Sequence, residues 1–197
     1  MTLYLSMAAF ALASSITPGP VNIVALSCGA QFGFSASLRH VTGATLGFTL
    51  LLVLVGFGMH EVLAWWPGLT AVILWAGVAF LFYMAYQLAA DGGQLSQGNR
   101  QQTPSFWYGA LLQWLNPKAW LASVASMGAF VGDGEMRLLW LFAGLYFVIC
   151  YASIACWAYA GAMLSNLLQR AHNLRRFNRL MALLLAFSAC YLLAEGV

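Results

Sequence analysis

Apolar residues fill this chain in long blocks separated by short polar interludes. Six blocks stand out: Leu3–Ala30, Val41–Met59, Gly68–Ala90, Ser105–Val131, Leu138–Leu164 and Leu180–Ala194. A helix that crosses the hydrocarbon of a bilayer needs about 20 mostly apolar residues, so each block is expected to be one spanning helix. The first and fourth are longer than a bilayer requires, and proline interrupts both. One interruption reads Thr17-Pro18-Gly19-Pro20, the other Asn116-Pro117-Lys118. The one polar stretch of any length, residues 91–104, separates 1–90 from 105–197 and leaves three blocks on each side. An odd number of spans per half sends the second half into the membrane from the opposite face. The expected fold is therefore an all-α membrane protein, one transmembrane domain of six helices built as two inverted three-helix repeats, with helices 1 and 4 broken at proline. Broken helices at corresponding places of two halves are a mark of repeat-built transporters, whose site lies where the breaks meet.

Composition agrees with the block pattern. Hydrophobic residues make up 62% of the 197 and charged residues only 7%, against about a quarter charged in a soluble domain. The net charge of +3 does not point to nucleic acid, because its carriers set topology instead. With six spans, Arg39, Arg100, Arg170, Arg175, Arg176 and Arg179 share one side, whereas Arg137 stands on the other with Glu61, Asp133, Glu135 and Glu195. The positive-inside rule makes the arginine-rich side cytoplasmic and both termini periplasmic. Met1-Thr2-Leu3-Tyr4 lacks the positive start of a cleaved leader, so the first block is read as a retained span. Cys28, Cys150, Cys156 and Cys190 have no metal-type spacing, and no metal or cofactor is expected.

The chemistry concentrates at the two breaks. Proline in a helix has no N–H and collides with the carbonyl four residues back, which is expected to free the carbonyls of Ser14, Ile16 and Gln113. Thr17 and Asn116 are favoured N-cap types and each precedes a proline, a residue suited to the first helical position. Gly19 permits close approach of a ligand. The N–H groups at such helix starts favour a carboxylate. Lys118 is the only charge inside the predicted spans. It sits beside a helix start in a medium of low dielectric, so its ammonium calls for an anionic partner. No aspartate or glutamate lies in any span core, which leaves a substrate carboxylate as the natural counter-ion. The same lack of acids disfavours a cationic substrate side chain. An ammonium would find freed carbonyls, oxygens such as that of Asn22, or a ring such as Trp114. The candidate site is thus Thr17, Pro18, Gly19, Pro20, Asn22, Gln113, Asn116, Pro117 and Lys118, suited to a small neutral zwitterion.

Other features have plainer readings. Gly43 and Gly47 form a small-xxx-small pair for close helix packing. His40 and His60 fall at span ends, where a solvated interfacial place is expected, and Trp65, Trp66, Trp107 and Trp140 read as interfacial belt residues. An intramembrane enzyme would need a nucleophile with its base, or a metal cluster; Ser27 has no nearby His, and His60-Glu61 lacks the partner of a zinc helix. A non-transporting scaffold or subunit of a larger complex is the remaining alternative. It would tolerate substitution of Lys118 and the prolines.

Thr17-Pro18-Gly19-Pro20, then Gly43 and Gly47, then Asn116-Pro117-Lys118 resemble the LysE/RhtB family of bacterial amino-acid exporters over essentially the whole chain. Thr17 through Ser27, followed by Gly33-Phe34, is similar to the branch that exports cysteine and O-acetylserine. The resemblance implies an inner-membrane exporter driven by the proton motive force, with an amino acid, protons and the bilayer as its partners. Proton exchange needs a titratable group, and Lys118 is the candidate that the spans offer. Gly/Ala-rich faces are also compatible with a homodimer.

Overall fold

The computed structural model describes residues 2–59, 75, 78–79, 82–83, 85–86, 89–90, 105–131, 135–168 and 171–195. Among these every regular element is helical. Helix α1 (Thr2–Ile16) and α2 (Pro20–Phe32) are both apolar and meet at a bend of 60°. Helix α3 covers Phe34–Leu54 and passes into a π-helical turn, Val55–Met59, where Gly58 takes φ 104°. After the polar stretch come α4 (Phe106–Trp114) and α5 (Pro117–Phe130), then α6 (Met136–Leu168) and α7 (Ala171–Glu195). The regions Phe34–Gly58 and Met136–Leu164 are each long and apolar enough to cross a membrane. Most of the third predicted span, His60, Trp65, Trp66 and the stretch 91–104 lie outside the described residues.

Helix ends differ from the apolar blocks because polar residues continue a helix that apolarity alone would end. The second span begins at Phe34, not Val41. Gly33 alone separates α2 from α3, at φ 82°, a value that glycine reaches without a Cβ penalty. His40 therefore sits two turns inside α3 and is fully buried. The Tyr108 ring lies 6.4 Å away. The expectation of a solvated, interfacial His40 is overturned. Helix α7 likewise starts at Ala171, well before Leu180, and carries Arg175, Arg176 and Arg179 on its first turns.

Small residues set which helices touch. Helix α6 packs against α1, α2 and α3, and α4 packs along α3. A Cβ placed on Gly29 would strike the Ala158 carbonyl, and one on Gly161 would strike the Leu26 carbonyl, so α2 and α6 meet backbone to backbone. On α3, Gly43 faces the backbone of Phe106 and Gly47 that of Ala110, while Gly109 of α4 faces the His40 carbonyl. Without a hydrophobic drive between helices in lipid, such close approach and its dispersion contacts hold the bundle. Residues such as Leu5, Leu183 and Phe187 are more than two-thirds exposed, as lipid-facing positions should be.

These contacts define a paired prediction. Gly43→Ala should destabilise the fold by about 3 kcal/mol or more, because the Phe106 backbone has to move. Gly128→Ala, where nothing lies within 4 Å of the new methyl, should be neutral or gain about 0.5–1 kcal/mol from helix propensity. Thermal unfolding of the two variants in detergent checks the contrast.

Candidate functional site

The two breaks have different local causes. At the second, the Asn116 side chain accepts from Lys118 N at 3.2 Å, with Pro117 in the first helical turn. Asn116 is an N-cap. At the first, the cap is Gly19, in extended conformation and with no side-chain hydrogen bond, and Pro20 takes the first turn. Thr17 is not the cap that the sequence pattern predicts. Two prolines compete here, and the helix resumes at the second; the Thr17 hydroxyl instead donates back to the Ala13 carbonyl and closes the last turn of α1.

Two of the three predicted free carbonyls find partners within the protein. Trp157 Nε1 donates to Ile16 O at 3.0 Å, and Asn116 N donates to Gln113 O at 3.2 Å. Asn22 Nδ2 donates to the carbonyls of Ser15 at 2.8 Å and Thr17 at 2.9 Å. Asn22 thus staples the extended linker over the start of its own helix, and its Oδ1 remains the group able to accept from a ligand. Trp114 is not at the site: its ring packs edge-on against Trp120.

The breaks nevertheless meet. Lys118 Nζ reaches across from α5 and donates to Thr17 O at 3.2 Å. Around this bond lies a cavity of about 40 Å³, open at its mouth. Of the residues singled out in the sequence, Thr17, Gly19, Asn22, Gln113, Asn116 and Lys118 line it, whereas Pro18, Pro20 and Pro117 shape the turns behind it. The structure adds Ser14, Ser15 and Phe48, and from α6 Tyr146, Cys150 and Ile154. These last three recur every four residues on one face of α6. That face is invisible in a helix apolar all round, so the sequence carried no signal for it.

The electrostatics of the lining are one-sided. Lys118 has three donors, one of them used on Thr17. A helix start leaves its first N–H groups without intrahelical partners. At α5 Asn116 answers one of them; at α2 Gly19 provides no side-chain cap, and Gly19, Val21 and Asn22 line the cavity. An anion at that wall meets an ammonium and the positive end of α2 together. Among the described residues no carboxylate lines the cavity, and no cluster of His, Cys, Asp or Glu is placed to hold a metal.

Gly19 offers a test of this geometry. A methyl there would stand 3.7 Å from Lys118 Nζ, an ordinary contact, and the extended backbone accepts any residue. Gly19→Ala should therefore fold normally yet raise the half-saturating concentration of a ligand held at Lys118 by about 5-fold or more, by excluding it from the ammonium. Ligand titration beside a melting curve separates the two effects.

A polytopic helical bundle whose two interrupted helices converge on a cationic cavity belongs to the class of membrane translocators. The sequence profile of the LysE type translocator family matches residues 12–196. The chain belongs to that family. It is 30% identical over 182 residues to the cysteine/O-acetylserine efflux protein of Escherichia coli, an alignment covering 91% of this chain and 92% of that one. Its namesake in Salmonella typhimurium is 29% identical over 184 residues, with the same coverage. No solved structure matches the chain significantly.

Proposed function

We propose that this protein is a secondary transporter of the bacterial inner membrane that exports small neutral amino acids or their derivatives from the cytoplasm. The observation that carries the reading is the Lys118–Thr17 bond, which joins two helix breaks over one cavity that no described carboxylate lines. The substrate carboxylate sits against Lys118 and the open start of α2. Its ammonium is received by Asn22 Oδ1 and neighbouring carbonyl oxygens. A cationic side chain has no carboxylate to meet and is rejected. The efflux proteins named above act on cysteine and O-acetylserine, zwitterions of the size and charge this lining favours.

The architecture behind the proposal is six spans in two inverted repeats, with the arginine-rich loops cytoplasmic and both termini periplasmic. It is supported by reciprocal packing, since α1 and α2 lean on α6 while α4 leans on α3, so each broken helix rests on a long helix of the other half. Rocking one half against the other would carry the cavity from one face to the other. The proton motive force supplies the energy. One role assigned to Lys118 from sequence does not combine with the other: an ammonium that must stay charged to hold a carboxylate cannot be the group that proton and substrate occupy in turn. The proposal keeps the carboxylate role.

Counterflow in proteoliposomes tests the reading. Vesicles preloaded with unlabelled serine, cysteine or O-acetylserine should accumulate a labelled trace of the same compound, and lysine-loaded vesicles should not accumulate labelled lysine. No exchange of any amino acid by folded, inserted protein would overturn it.

A further inference from the structure

Three hydroxyl residues end α1, and they behave differently. Ser14 Oγ donates to the Phe10 carbonyl at 2.7 Å and lies 2.5 Å from the Tyr146 hydroxyl. Thr17 donates back to Ala13. Such back-bonding is the ordinary fate of a helical serine or threonine. Ser15 alone departs from it: its Oγ is buried and makes no bond back to the helix, and the residue lines the cavity. It stands beside the Tyr146 hydroxyl and the Cys150 thiol. Three short polar groups are thus gathered in one part of the cavity lining.

The walls next to it are apolar and fixed. The Phe48 ring lies 4.5 Å from that of Tyr146, Phe142 packs edge-on behind Tyr146 at 5.5 Å, and Ile154 and Ala122 complete the lining. A rigid apolar wall holding a single cluster of short donors and acceptors reads a side chain of limited size that ends in a polar atom.

We propose that Ser15, with Tyr146 and Cys150, forms the subsite for the substrate's side chain, selecting a hydroxyl, thiol or ester oxygen over an aliphatic group of equal size. The inference rests on the transport reading above and assigns the opposite end of the same ligand. The α-carboxylate stays at Lys118 while the side chain points to α6. Ser15 is then a specificity-determining residue, because a polar cluster in an apolar wall adds a hydrogen bond for a polar side chain that an aliphatic analogue cannot make.

Serine and 2-aminobutyrate differ by a hydroxyl against a methyl, so competition between them in counterflow is the test. Wild type should prefer serine by about 10-fold. Ser15→Ala should cut that ratio by about 5-fold, through weaker serine and unchanged 2-aminobutyrate, as expected for one lost hydrogen bond. Ser15→Thr, which keeps the hydroxyl, should restore most of it. An unchanged ratio in Ser15→Ala, or equal weakening of both competitors, would overturn the subsite while leaving the exporter intact. Absence of counterflow in wild type would instead take down the transport reading itself.

Discussion

Lys118→Ala is expected to weaken the apparent affinity for a small neutral amino acid by about 10- to 150-fold, the range a charge-assisted hydrogen bond supplies. The ammonium lies where two helix breaks touch, and no carboxylate of the described lining shares it. Removing it leaves only the positive end of α2 to meet an anion. The fold should survive, because Lys118 gives the bundle one bond to Thr17 O, and Asn116 continues to cap α5 without it. Lys118→Arg should recover only part of the loss, since a planar fork does not match a site shaped around a compact ammonium. Half-saturation measured by counterflow for the three proteins, at matched insertion, checks the order.

The second large effect concerns stability. Gly29→Ala and Gly161→Ala should each reduce stability by about 3 kcal/mol or more, the upper end for overpacking. In both cases the new methyl meets a carbonyl on a facing helix, the group least able to yield. The two contacts are reciprocal, Gly29 on Ala158 and Gly161 on Leu26, so either substitution prises α2 from α6 along their whole seam. Because α2 also forms a wall of the cavity, transport should fall together with folded yield. Denaturant titration in detergent is the readout, with Gly128→Ala as the control that should stay near wild type.

What the sequence shows and hides follows from the range of each interaction. The Asn116-Pro117 helix start was legible because cap, proline and first turn are neighbours in the chain. Thr17 misled for a local reason too: with Pro18 and Pro20 both present, only the backbone path decides which opens the helix, and Gly19 in extended conformation gives that place to Pro20. His40 was misplaced because a hydropathy window sees composition and not the turn at Gly33 that starts α3 early. Six of the predicted site residues line one cavity, since the breaks that hold them are written in proline. Ser15, Tyr146 and Cys150 left no such mark. Their meeting depends on how α1 crosses α6, and a helix that is apolar on every side does not announce which face looks inward.

The account stands on the contact between a substrate carboxylate and Lys118, and a double-mutant cycle isolates it. Serine and serinamide would be compared as competitors for labelled serine, in wild type and in Lys118→Ala. The carboxamide should be at least about 10-fold weaker than serine in wild type, and that ratio should fall to near one in the variant. A preference for the carboxylate that persists undiminished in Lys118→Ala would contradict the account and move the anion site elsewhere in the protein.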